Sequence, residues 1–423
     1  MNHRLNKLSN GLRVLTVSLP SMESSAITVW VKTGSRNETK RIGGISHFLE
    51  HMVFKGSKKR PSAKEIAVVI DSIGGEFNAG THKEWTNFYI KARNEVIPTA
   101  FDVLSDMVLN PIMKSEDIER EKGVILEELA MYEDTPMFKI GDVFENLIYK
   151  GSSLGRDIIG TRDSIKSVKR ADFVKYRKTH YGIDNLLITV AGGAKEKDVL
   201  RLADKYFGSL KDNNKEKVEK YNKDQKKPRV LLCPKNNEQA HLILGFLGNQ
   251  MGSKDRFIES VLAVILGRGM SSRLFTEVRE KRGLAYSVKT TMDCYTDAGY
   301  IGTYAGVDTK RIDEAVKVIL DEHYKLASSE NTISGNELKK AKEYIKGHLA
   351  LSLENTGAVG SFFGIGELLL GKIETPEDVF KGIDKVTIDG VLRVAKEYFV
   401  PGRLNLAIIG PYKDQKRFEK LIS

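Results

Sequence analysis

The stretch Ile45-Ser46-His47-Phe48-Leu49-Glu50-His51-Met52-Val53-Phe54 decides how this chain is read. Its apolar residues recur at helical spacing, and it holds two histidines four apart with a glutamate between them. At about 100° per residue, with His47 at zero, His51 falls near about 40° and Glu50 near about 300°. Ile45, Phe48, Leu49, Met52 and Val53 fall between roughly 100° and 240°, so one helix separates a polar trio from an apolar stripe. Only Phe54 departs from the pattern. Two imidazoles and a carboxylate on one helical face, in the order H-x-x-E-H, are what a divalent metal needs to be held and to activate a water.

A catalytic zinc centre takes three protein ligands and keeps one open position. A third ligand should come from a second rigid element. Ser115-Glu116-Asp117 opens a predicted helix over 115–134, with a serine at its N-cap and acids in its first turn. Glu121 and Glu128 stand seven apart and share a face about two turns apart. Glu119 and Glu127 compete with them, and spacing alone does not choose.

Four segments resemble one family. HFLEHMVFKG, followed about eighty residues later by EREKGVILEE, is similar to the inverted-motif zinc peptidases: the family of pitrilysin, insulin-degrading enzyme and mitochondrial processing peptidase. GGEFNAGTHKEWTNFY at 74–89 resembles the family's substrate-strand segment, and GRGMSSRLFTEVREKRGLAYSV at 267–288 its second-half signature. The resemblance implies His47, His51 and Glu128 as ligands of one Zn²⁺ per chain, Glu50 as general base and Glu121 as supporting carboxylate. It implies that Asn78, Ala79, Gly80 and Thr81 form a docking strand, and that Arg279 and Tyr286 contact substrate. His82, beside that strand, reads as a polar turn residue. Arg279 is expected in a helix entered at Ser271 or Ser272 and ended near Gly283.

The length and composition fit. A chain of 423 residues is too long for one ordinary core. SIKSVKRADFVKYRKTHYGIDNLLITVAGG and GIDKVTIDGVLRVAKEYFVPGRLNLAIIGP read as copies, with Tyr181 matching Phe399 and Gly192 matching Gly410, each pair 218 positions apart. The second copy carries no H-x-x-E-H. The expected domains are 1–210 with the metal, a polar linker at 211–228, and 229–423 without metal. Strands at 12–18 and 25–33, a helix at 63–73, a hairpin at 75–92 and a helix at 94–109 point to α+β domains. Each is expected to be a mostly antiparallel sheet with helices packed on one face, together forming half of a clamshell.

The net charge of +11 raises the question of nucleic acid. Residues 211–229 hold eight Lys or Arg against four acids, a solvated linker, while 116–145 hold ten acids against three bases. Neither nucleic acid nor membrane is an expected partner: no run of about eighteen apolar residues occurs, and Gly267-Arg268-Gly269 lacks a phosphate-loop lysine. The N-terminus reads as a first strand rather than a signal peptide. Two cysteines, Cys233 and Cys294, exclude a disulfide framework and suit the cytoplasm. The expected activity is hydrolysis of short or unfolded peptides by a zinc metalloendopeptidase. A specific processing peptidase removing basic N-terminal extensions and a non-catalytic peptide-binding subunit are the alternatives. Active members of the family combine four such domains, which implies a homodimer, or a heterodimer with a degenerate partner.

Overall fold

The computed structural model describes residues 1–212, 218–222, 224–328 and 333–423. Parts of the expected linker, at 213–217 and 223, lie outside the described residues.

The first sheet has six strands: Asn2–Lys7 (β1), Arg13–Ser18 (β2), Ser24–Val31 (β3), Glu76–Thr81 (β4), Thr86–Arg93 (β5) and Leu186–Gly192 (β6). Their order is β1-β2-β6-β3-β5-β4. Only β2 and β6 pair in parallel. The second sheet joins Arg229–Pro234 (β7), Gln239–Leu247 (β8), Ala285–Cys294 (β9), Gly299–Asp308 (β10) and Leu404–Gly410 (β11) in the order β7-β11-β8-β10-β9. Here β7 and β11 are the parallel pair. The fold is α+β with two mixed sheets, and the duplication is visible strand by strand. Helices Arg170–His180 and Ile388–Tyr398 precede β6 and β11, and both strands are buried at all seven positions. Tyr181 and Phe399 each cap their helix.

A strand buried at every position needs cover on both faces. That requirement draws segments across the halves. One compact unit comprises Met1–Ala130, Arg156–Glu219 and Ala350–Pro376; the other comprises Met131–Gly155, Lys220–Leu349 and Glu377–Ser423. The units are therefore not simply residues 1–210 and 229–423. In the first unit, helix Thr356–Leu370 lies on β3 and β6 and buries Val359, Phe363, Leu368 and Leu369. Each such side chain contributes about 1.5–3 kcal/mol when fully buried. Close approach requires glycine here: a Cβ on Gly364 would stand 2.9 Å from Thr189 Cγ2 and 3.0 Å from Trp30 Nε1. In the second unit, helix Pro136–Ile148 buries Phe144, Leu147 and Ile148 in a cluster with Tyr300, Ala407 and Ile409.

The helix carrying Arg279 differs from expectation in its winding. Residues Phe275–Glu280 are π-helical, with Lys281 N–H donating to Thr276 O at 2.9 Å. The wider turn ends with Gly283 N–H on Arg279 O at 3.0 Å. Such windings recur at functional sites.

Candidate active site

Helix Ile45–Val53 carries the polar trio, and its expected apolar stripe is buried: Ile45, Phe48, Leu49, Met52 and Val53 are each at most 1% exposed. Phe54, the residue that broke the wheel, is the C-cap, and its ring lies 5.5 Å from that of Phe77 on β4. The helix begins at Gly44, with φ +89°. A Cβ there would stand 2.4 Å from Ile159 O, so glycine is required sterically as well as conformationally.

Glu38 caps this helix although it lies outside it. Its Oε2 accepts from Gly44 N–H at 2.6 Å and its Oε1 from Ser46 N–H at 2.8 Å. A carboxylate at a helix N-terminus satisfies orphan amides and meets the positive end of the dipole. Ser46 Oγ also hydrogen-bonds Tyr176 Oη at 2.8 Å, which in turn meets Thr33 Oγ1 at 2.9 Å. Glu38 is 4% exposed. Burial pushes its carboxyl up to about 7, against the opposing pull of the Ser46 and Gly44 hydrogen bonds and of Arg156.

This raised carboxyl makes folding stability depend on pH. Below its ordinary value of 4.5 the carboxyl is protonated whether the chain is folded or not. Between 4.5 and about 7 the folded chain keeps a proton that the unfolded chain has released. Stability from this group is therefore fully present below that window and lost as pH rises through it, by up to about 3 kcal/mol. Other buried carboxyls titrate in both proteins, so denaturant unfolding across this pH range should show a decline that is steeper in the wild type than in Glu38→Gln by about that amount. Parallel pH profiles for the two proteins would contradict it.

The three predicted ligands converge. His47 Nε2 and His51 Nε2 are 3.3 Å apart, and Glu128 Oε2 lies 3.6 Å from the first and 3.5 Å from the second. Zn–N and Zn–O bonds of about 2.0–2.1 Å in a tetrahedron put neighbouring donors about 3.3–3.4 Å apart. The three donors fit that triangle, and they are the group among the described residues able to hold a metal ion. Burial, reinforced by the neighbouring His51, pushes the His47 imidazole down to about 3, so it is neutral near pH 7 and has a lone pair to offer. Its Nδ1 is buried without a hydrogen-bond partner among the described residues. Burial pushes Glu128 up; His51 opposes that shift and Glu121 adds to it.

Helix Ser115–Asp134 turns Ile118, Glu121, Ile125 and Leu129 inward, and Glu121 is only 3% exposed. Its Oε1 lies 2.9 Å from His51 Nδ1 and its Oε2 2.6 Å from Lys55 Nζ. Burial pushes the Glu121 carboxyl up, but the hydrogen bonds from His51 and Lys55 outweigh it and hold the group below its ordinary range. Glu119 and Glu127, the rival candidates, are exposed, and Glu119 pairs with Lys122 at 2.8 Å. Lys55 is the residue that the sequence reading missed. It stands just past the C-cap Phe54, outside the helix, so helical periodicity gives no signal for it.

Glu50 accepts a hydrogen bond from Thr81 Oγ1 at 2.5 Å. Burial pushes the Glu50 carboxyl up, while that bond and His51 restrain it. Thr81 is thus committed through its side chain to Glu50. Phe77 and Thr81 share one face of β4 by the two-residue period, and both reach the end of the 45–53 helix. β4 is an edge strand. Asn78 turns its Oδ1 onto the N–H of Ala79 at 2.8 Å, and Gly80 pairs with Asn87 in the ladder. His82 stacks on Trp85, centroids 5.1 Å apart and planes 9° apart.

Arg279 and Tyr286 lie in the second unit and meet each other there. The guanidinium sits 4.7 Å from the Tyr286 ring centroid and 4.8 Å from that of Phe275, and Tyr286 is 78% exposed. Cys233 and Cys294 are free thiols. Among the described residues no helix is long and apolar enough to cross a membrane.

The chain is similar to known proteins along most of its length. Residues 13–162 match the family described as insulinase (peptidase family M16), and residues 167–345 match the peptidase M16 inactive domain. An uncharacterized zinc protease of Bacillus subtilis is 38% identical over 402 residues, 95% of this chain and 97% of that protein. An uncharacterized zinc protease of Streptomyces coelicolor is 37% identical over 419 residues, 98% of this chain and 90% of that one. A protease from Helicobacter pylori, known by crystal structure, superposes with a TM-score of 0.91 at 25% identity, covering 97% of this chain and all of the other. Motif, donor geometry and full-length similarity agree: the chain belongs to peptidase family M16.

Proposed function

We propose that this chain is a zinc metalloendopeptidase that hydrolyses short or unfolded peptides. The observation that carries the reading is the triangle of His47 Nε2, His51 Nε2 and Glu128 Oε2 with Glu50 on the same helix. A zinc ion held there supplies Lewis acidity toward a water and a scissile carbonyl. Glu50 takes a proton from the attacking water and hands it to the leaving amine, the work of a general base whose carboxyl burial pushes up. Thr81 fixes the carboxylate for that transfer by holding Oε2. Glu121 orients His51 through Nδ1, leaving Nε2 for the metal.

An extended peptide adds to the free edge of β4 at Asn78–Thr81 through main-chain bonds, which gives affinity without strict sequence demands. Arg279 and Tyr286 supply donors for a peptide carbonyl or a developing oxyanion. A homodimer would complete the four-domain arrangement. The acidic bias of 116–145 favours basic peptides, which keeps a processing peptidase as the second reading.

Purified protein should contain zinc and cleave an unstructured peptide, and chelation should stop cleavage until zinc is returned. Cleavage that survives chelation would overturn the proposal. In a mixed peptide library, cuts at many positions support a general endopeptidase; cuts confined to basic N-terminal extensions support the processing reading.

A further inference from the structure

We infer that Lys55 is a positioning residue of the metal centre, acting through Glu121; this rests on the zinc-peptidase reading above. The Glu121 side chain is 4% exposed and both its oxygens are committed, Oε1 to His51 Nδ1 at 2.9 Å and Oε2 to Lys55 Nζ at 2.6 Å. A carboxylate held at one oxygen still turns about its side-chain torsions. Held at both, its plane is fixed, and so is the imidazole that shares it.

The two anchors stand four residues apart along the chain, one inside the helix and one just past its end. His51 lies in the last turn of the 45–53 helix, and Lys55 directly follows its C-cap, with Lys55 N–H donating to Met52 O at 3.1 Å. Glu121 comes from the 115–134 helix, two turns ahead of Glu128 on the same face. The Lys55–Glu121 pair therefore ties the helix carrying two donors to the helix carrying the third, beside the point where they converge. Glu121 is the ion-pair partner of Lys55 among the described residues, and the lysine side chain is 33% exposed. An ammonium serving only solubility would stand free in water, whereas this one is seated on a buried carboxylate.

The test is the zinc dissociation constant of the full-length protein, measured by competition with a chromogenic chelator. The proteins are wild type, Lys55→Met, Lys55→Arg, Glu121→Gln and the Lys55→Met/Glu121→Gln double variant, and the apoprotein Tm is recorded for each. Lys55→Met should weaken zinc binding about 10-fold, the low end of the range for a direct partner of a ligand, because it acts through Glu121. Lys55→Arg should recover most of that loss, and Lys55→Met should add nothing once Glu121 is already Gln. Wild-type affinity in Lys55→Met, or an undiminished effect in the Glu121→Gln background, would overturn the inference. Should Lys55→Met melt early, the arginine variant and the double variant still decide. A wild type that binds no zinc fails the peptidase reading and takes this inference with it. A zinc-tight wild type with an equally tight Lys55→Met sinks the inference alone.

Discussion

Glu50→Gln should lose peptide cleavage by about 10²–10⁴-fold while retaining its metal, the range that a positioned general base contributes. The substitution is nearly isosteric, so Thr81 can still donate to the remaining carbonyl oxygen and the helix keeps its packing. What disappears is the capacity to accept a proton. Burial makes the natural carboxylate a better base than a solvated one, because it pushes the carboxyl up, with Thr81 and His51 restraining the shift. The result is read by initial rates on a fluorogenic peptide beside zinc content by elemental analysis. Zinc-loaded Glu50→Gln cleaving at the wild-type rate would remove Glu50 from the proton-transfer role.

The second large effect is His51→Ala. His51 is the hub of the site: Nε2 lies 3.3 Å from His47 Nε2 and 3.5 Å from Glu128 Oε2, and Nδ1 lies 2.9 Å from Glu121. Losing it removes a donor and strands a buried carboxylate with Lys55 alone. The drop in zinc affinity should exceed the roughly 10–100-fold typical of an outer-shell partner. Purified His51→Ala should carry almost no zinc and show no chelator-sensitive cleavage. The fold should survive, since the apolar stripe that packs this helix is untouched. Full zinc occupancy in His51→Ala would dismiss it as a ligand.

Much of this was legible in the sequence, for identifiable reasons. A helix of nine residues with five apolar positions on one side has one way to pack, so the orientation of the polar trio followed from periodicity. The seven-residue spacing of Glu121 and Glu128 placed them on one face, and burial then separated them from Glu119 and Glu127. The exchange of helices Pro136–Ile148 and Thr356–Leu370 was not legible. Amphipathicity says which side of a helix is buried but not against which sheet, and two homologous sheets offer equivalent surfaces. The family resemblance places Thr81 in a docking strand: it gives the strand a role but gives this side chain no partner. Its hydroxyl on Glu50 depends on where the 45–53 helix crosses that strand. The π-helical winding at Phe275–Glu280 has no periodic signature in six residues.

X-ray absorption at the zinc K-edge of the purified protein examines the convergence of His47, His51 and Glu128 themselves. One zinc per chain, with two imidazole nitrogens and light oxygen scatterers at about 2.0–2.2 Å and no sulfur, is the expected spectrum. The imidazole signal should diminish in His47→Ala. Absence of bound zinc, or a shell built from sulfur or lacking imidazole, would contradict the site.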